Sequence, residues 1–147
     1  MPTTFMRLGY EEKILRPDAL RALVLETGPV GFTLDVGLNY YRGQPLSAIE
    51  TFELVVDGER IPAELMLFEY NDKVFTPNQI PLAFTEFWSV KKDLRVSVYN
   101  GGLASGTHAV ELTLHLRNVS MRFAPGVWGM IDGSISRKLQ LVEEGAK

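Results

Sequence analysis

Two histidines, His108 and His115, are the whole imidazole supply of this 147-residue chain, and it has no cysteine. They lie seven residues apart on one alternating segment, so their side chains point to opposite faces. They do not ligate one metal together. His115 shares a face with Glu111, a pairing that reads as a solvated strand face, since a metal site needs more ligands. His108 follows Gly106-Thr107 and reads as a hydrogen-bonding turn residue rather than a general base. Without cysteine there is no thiolate nucleophile, disulfide framework or iron–sulfur cluster. Gly101-Gly102-Leu103-Ala104-Ser105-Gly106 has the glycines of a phosphate loop, but no Lys follows, and Thr107-His108 leads into a strand instead of a helix. It also fails the Gly-x-Ser-x-Gly elbow, because Leu103 stands two residues before the serine. The carboxylates are plentiful, and their spacing selects no acid/base pair. The sequence nominates no catalytic residue and no metal ligand on this chain.

The aromatics are more informative. Phe84, Phe87 and Trp88 crowd a segment that also holds Pro77, Pro81 and Glu86; Phe123, Trp128 and Met130 cluster around Pro125-Gly126. Two readings stand side by side. Large aromatics plug the ends of a core, or a loop-borne group of them grips a partner. Under the second reading the expected interface residues are Phe84, Phe87 and Trp88, supported by Tyr41.

The elements that must position these groups repeat with period two. Phe32, Leu34, Val36, Leu38 and Tyr40 alternate with polar or small residues, as do Phe52, Leu54 and Val56. Asp57-Gly58 then marks a hairpin turn into Glu59–Ile61, since Gly accepts positive φ. Leu94, Val96 and Val98 form one strand face; Val110, Leu112, Leu114 and Leu116 form another, and a last strand runs from Ile135 to Leu141. Pro17 to Leu25 has a helical face but ends Leu-Val-Leu before Gly28-Pro29, and is read as strand. Turn clusters recur between the strands, among them Arg42-Gly43-Gln44-Pro45 and Thr76-Pro77-Asn78-Gln79. The expectation is an all-β chain, an antiparallel β-sandwich or jelly roll. Residues 1–147 form one domain, with a frayed tail at 143–147.

Composition sets the remaining bounds. With 46% hydrophobic and 22% charged residues the chain is globular rather than disordered. A net charge of −3 argues against nucleic acid as a partner. No signal-like start and no apolar run near ~20 residues is seen, so the expectation is a cytoplasmic protein with no membrane partner. Asn118-Val119-Ser120 is a chance match to a glycosylation acceptor.

An ordered series of motifs resembles the small β-subunits of bacterial C-glycoside deglycosidases. It runs from Val30-Gly31-Phe32 through Tyr40-Tyr41-Arg42-Gly43-Gln44-Pro45-Leu46-Ser47-Ala48-Ile49-Glu50 to Val56-Asp57-Gly58-Glu59. It continues with Trp88, Gly101-Gly102-Leu103, Gly106-Thr107-His108-Ala109-Val110-Glu111 and Leu116-Arg117. Ser120–Pro125 departs from the family's aromatic-Pro ending. The resemblance implies an accessory role. A larger α-subunit, resembling a TIM-barrel sugar-phosphate isomerase, would hold a divalent metal, commonly Mn2+, and the acid/base groups, with no cofactor on this chain. The substrate would be a C-glycoside already oxidised at the sugar's 3-position, such as a flavonoid glycoside. Its keto group acidifies the C2 proton and so permits a lyase-type elimination of the aglycone. Within the motif Arg42, Asp57 and Gly58 are expected to be structural. Asp57, Glu50 or chain carbonyls would clamp the Arg42 guanidinium, so that Arg42→Ala abolishes soluble assembly. The other functions left open are a free-standing carbohydrate-binding sandwich, stacking sugars on Trp88, Trp128 or Tyr41, and a small sandwich enzyme.

Overall fold

The computed structural model describes residues 4–7, 9, 11–40, 42–125 and 127–143; the side chains at 4, 11, 119–121, 123 and 128 lie outside that description. In chain order the strands are β1 (Thr4–Met6), β2 (Leu20–Leu25), β3 (Gly28–Val36), β4 (Gln44–Pro45), β5 (Ile49–Val56), β6 (Glu59–Arg60) and β7 (Met66–Tyr70). They continue with β8 (Lys73–Phe75), β9 (Phe87–Trp88), β10 (Leu94–Val98), β11 (Thr107–Ala124), β12 (Val127–Asp132) and β13 (Ile135–Gln140). The helical pieces are short 3-10 turns, among them Leu46–Ala48 and Ile80–Leu82. None is long and apolar enough to cross a membrane.

Two sheets face each other across one core. The first runs β1-β12-β11-β5-β6, with β13 also on β11; the second runs β2-β3-β10-β7-β8. Period-two patterning explains why these strands pack this way. In the first sheet Val110, Leu112, Leu114 and Leu116 of β11 and Leu54 and Val56 of β5 are all buried. Phe32, Leu34, Val36, Val96, Val98, Met66 and Phe68 answer them from the second sheet. The rings of Phe52 and Phe68 meet edge-on at 5.0 Å across the sandwich. Each such side chain contributes about 1.5–3 kcal/mol by leaving water.

The all-β sandwich is as expected, and Leu20–Leu25 is strand. The Asp57-Gly58 hairpin is present too, with φ of 53° and 82°, and it aligns Val55 with Arg60 and Val56 with Glu59. One feature differs from the expected antiparallel plan. β1 lies parallel to β12, because the N-terminal segment reaches that edge from a distance and no tight turn constrains its direction. Just before the expected tail, the two sheets are tied together. Val142 forms a bridge with Arg21, and its N–H donates to the Leu20 carbonyl at 2.9 Å. This ties the end of the first sheet's last strand to the edge of the second. Residues 144–147 lie outside the described part.

Candidate functional site

Residues 76–88 form the least regular wall of the sandwich. Prolines at 77 and 81 exclude a regular central strand, and the 3-10 turn Ile80–Leu82 leads into the two-residue β9, which pairs with β4. The loop is held by its backbone: Leu46 N–H donates to the Glu86 carbonyl at 2.8 Å and Ser47 N–H to the Ala83 carbonyl at 3.2 Å. Ile80, Ala83, Glu86 and Trp88 point inward and are buried. The Glu86 carboxylate receives Lys73 Nζ, and this contact, aided by Asn71, holds its pKa below the ordinary carboxylate value.

With those residues turned in, Leu82, Phe84 and Phe87 turn out, at 68%, 69% and 58% exposure. Three large apolar side chains within six residues of loop are a concentrated patch rather than scattered surface hydrophobics. Its base is fixed by close packing. A Cβ added to Gly43 would lie 2.5 Å from Phe87 Cε2 and 2.7 Å from the Trp88 carbonyl oxygen, so only glycine lets the ring settle there.

Phe84 and Phe87 thus stand where a partner could reach them. Trp88 does not. It is fully buried, with Nε1–H donating to the Lys92 carbonyl at 3.1 Å, and it belongs to the core rather than to an interface. The β4 pairing turns its side chain inward while its neighbour Phe87 faces out, as alternation requires. Tyr41 lies outside the described residues.

The Arg42 clamp is also overturned. Arg42 is exposed and, among the described residues, makes no hydrogen bond or ion pair. Its expected partners are engaged elsewhere: Glu50 pairs with Arg117 at 2.5 Å, and Arg117 donates to the Ser47 carbonyl. Asp57 spends both carboxylate oxygens on β11. One accepts the Ala109 N–H at 2.9 Å and the other the His108 Nδ1–H at 2.5 Å. The Asp57 carboxylate therefore meets β11 rather than Arg42, and Gly58 completes the turn at a φ of 82°.

Asp57's side-chain partner is the residue whose role the sequence understated. His108 is buried, and its second nitrogen, Nε2–H, donates to the Ala104 carbonyl at 2.7 Å. Both ring nitrogens face acceptors, an arrangement that suits the imidazolium. The Asp57 hydrogen bond raises the His108 pKa against the opposing effect of burial, and Asp57's own pKa is lowered by the same bond and by Ala109. His115, on the opposite face, lies 3.7 Å from Asp132 and under the Phe5 ring. Asn118 is buried and donates to the Tyr40 hydroxyl at 2.6 Å, so its acceptor-motif match has no accessible amide. Among the described residues no three His, Asp or Glu side chains are placed to hold a metal.

The resulting class is an all-β sandwich whose one elaborated face is an aromatic loop packed on the 42–50 turn. Comparison with known proteins agrees with the motif series. A family model described as C-glycoside deglycosidase beta subunit matches residues 10–119. The chain is 31% identical over 100 residues to the C-glycoside deglycosidase beta subunit of Eubacterium cellulosolvens, covering 67% of this chain and 68% of the relative. It is 30% identical over 99 residues to the protein of the same name from Arthrobacter globiformis, covering 66% and 75%. A 3'-dehydrocarminate deglycosidase beta subunit from a Microbacterium is 29% identical over 108 residues, covering 74% and 78%. This chain belongs to the C-glycoside deglycosidase beta subunit family. The family model's match ends at residue 119, just before the departing Ser120–Pro125.

Proposed function

We propose that this chain is the accessory β-subunit of a heteromeric enzyme that cleaves the C–C glycosidic bond of 3-oxo-C-glycosides by elimination. The observation that carries this reading is the family match over residues 10–119, which takes in both the 42–50 turn and the loop packed on it. In the reaction a base removes the C2 proton next to the 3-keto group. The C–H electrons form a C1–C2 double bond, and the C1–aryl pair leaves with the aglycone carbon, which takes up a proton. The acid and base belong to a larger, TIM-barrel-like subunit in this reading. So does the divalent metal; among the described residues of this chain no three His, Asp or Glu side chains are placed to hold one. This chain contributes the docking face: Phe84 and Phe87, with Leu82 beside them.

The test uses each purified chain alone and the two together, with a 3-oxo-C-glycoside as substrate. Turnover only by the mixture, in fixed stoichiometry, is the expected result. Turnover by this chain alone would contradict the reading, and so would its retention on immobilised sugar as a monomer that ignores the larger subunit.

A further inference from the structure

Behind the aromatic loop lies a pocket of about 170 Å3 between the loop and the open side of the sandwich. Phe52, Met66, Phe68, Pro77 and Ile80 line it, and Glu50 stands at its wall. Phe52 is only half-buried, so the edge-on Phe52–Phe68 pair presents aromatic surface to the space instead of closing it. An apolar cavity of about 150 Å3 stays dry and binds benzene. This pocket opens to solvent, and its volume matches that of a single aromatic ring. Its polar wall is a carboxylate with one oxygen, Oε2, committed to Arg117. Glu50 is exposed, and its Oε1 has no hydrogen-bond donor among the described residues, which leaves an anionic acceptor at the solvent-facing edge of an apolar slot. That combination selects a ring carrying a hydroxyl donor over a plain hydrocarbon ring.

We infer that this pocket is a subsite for a phenolic ring of the aglycone, with Glu50 accepting its hydroxyl. The inference rests on the subunit reading for the source of the ring, but not for the existence of the site. Its position supports that source. The prolines that wall the pocket and the side chains of the docking face belong to one loop, so a substrate held by a partner on Phe84 and Phe87 has the pocket beside it.

The test has two arms. In the first, the methyl resonance of Met66 in this chain alone is followed during titration with catechol and, separately, toluene. Catechol should shift it saturably. Ala63→Phe, which fills the pocket from an exposed position on its wall, should abolish the shift while the melting temperature holds. Glu50→Ala should weaken catechol about ten-fold, the scale of a hydrogen bond to a charged group, and leave toluene unchanged. In the second arm, the assembled complex carrying Ala63→Phe should show a KM for an aryl 3-oxo-C-glycoside raised about ten-fold, by the same hydrogen bond and ring contacts. A Met66 signal unmoved by saturating catechol overturns the site. Catechol binding with an unchanged KM overturns the aglycone as its occupant. Wild-type chains that never assemble break the subunit reading alone, and the first arm still decides the pocket.

Discussion

Two regions of this sandwich are built from residues far apart in sequence, and they resolve their interactions in opposite ways. At the Asp57-Gly58 hairpin the half-exposed turn carboxylate and the buried imidazole it meets have their partners within this chain. Asp57 binds the Ala109 N–H and His108, and His108 binds the Ala104 carbonyl. In the 76–88 loop the buried Glu86 carboxylate meets Lys73, and the backbone is tied to Leu46 and Ser47. Yet that loop leaves Leu82, Phe84 and Phe87 in water. The first region is complete within this chain. The second is complete only in its anchoring, and its outer surface carries an unspent hydrophobic free energy. Family motifs run through both regions, so a shared motif does not by itself separate structure from function. What separates them is whether the side chains have finished their bonding.

The sharpest break between core and surface in the loop lies between neighbours. Trp88→Ala should cost about 3–5 kcal/mol of stability, the range for emptying a fully buried large aromatic site, and urea unfolding would read it as a lower midpoint. A midpoint close to wild type would return Trp88 to the surface. The companion change, Phe84→Ala with Phe87→Ala, should leave that midpoint in place and weaken association with the larger subunit by about 2 kcal/mol or more. Loss of stability with intact affinity would invert the assignment of the two faces.

The hairpin region makes a pH prediction. The His108 pKa is raised in the folded chain above its ordinary 6.5, so the imidazolium's contribution is fully present below 6.5 and is lost as pH rises through the folded value. Asp57 acts at the other end of the range. Its lowered pKa gives a contribution present above 3.8 that disappears as pH falls through the folded value. Thermal melts from pH 6 upward should therefore show a loss of stability in the wild type that is absent in His108→Gln. Parallel profiles would remove His108 from the account. The smallest effect is expected at Arg42. As an exposed side chain without a partner among the described residues, its replacement by Ala should change stability by no more than about 0.5 kcal/mol. A collapse of soluble protein would restore the clamp.

Legibility in the sequence followed the range of the interaction. Alternation is local, so β3, β5, β10 and β11 and their inward faces could be read directly. The Asp-Gly turn carries its own φ requirement and was equally plain. The β7–β8 hairpin has a similar cue that went unused: Asn71 and Asp72 both adopt positive φ, 52° and 63°, between Met66–Tyr70 and Lys73–Phe75. Trp88 is not legible as core because its burial depends on β4, whose Gln44 lies 44 positions earlier in register with it, and the loop around it has no period to show which aromatics turn in. The same holds for His108 and Asp57, each recognisable alone. Only the pairing of β11 with β5 brings them together. Glu86, an acidic residue with no local reason to be buried, could not have been placed without Lys73.

On the proposed reading, the 76–88 loop, and not the Asp57–His108 corner, is where this chain meets its partner. Hydrogen–deuterium exchange on this chain, free and mixed with the larger subunit, tests that directly. The account predicts new protection concentrated in residues 76–88 and 42–47, with the amides around 57–59 and 104–109 unchanged. Protection appearing at the Asp57–His108 corner while the loop exchanges as in the free chain would contradict it.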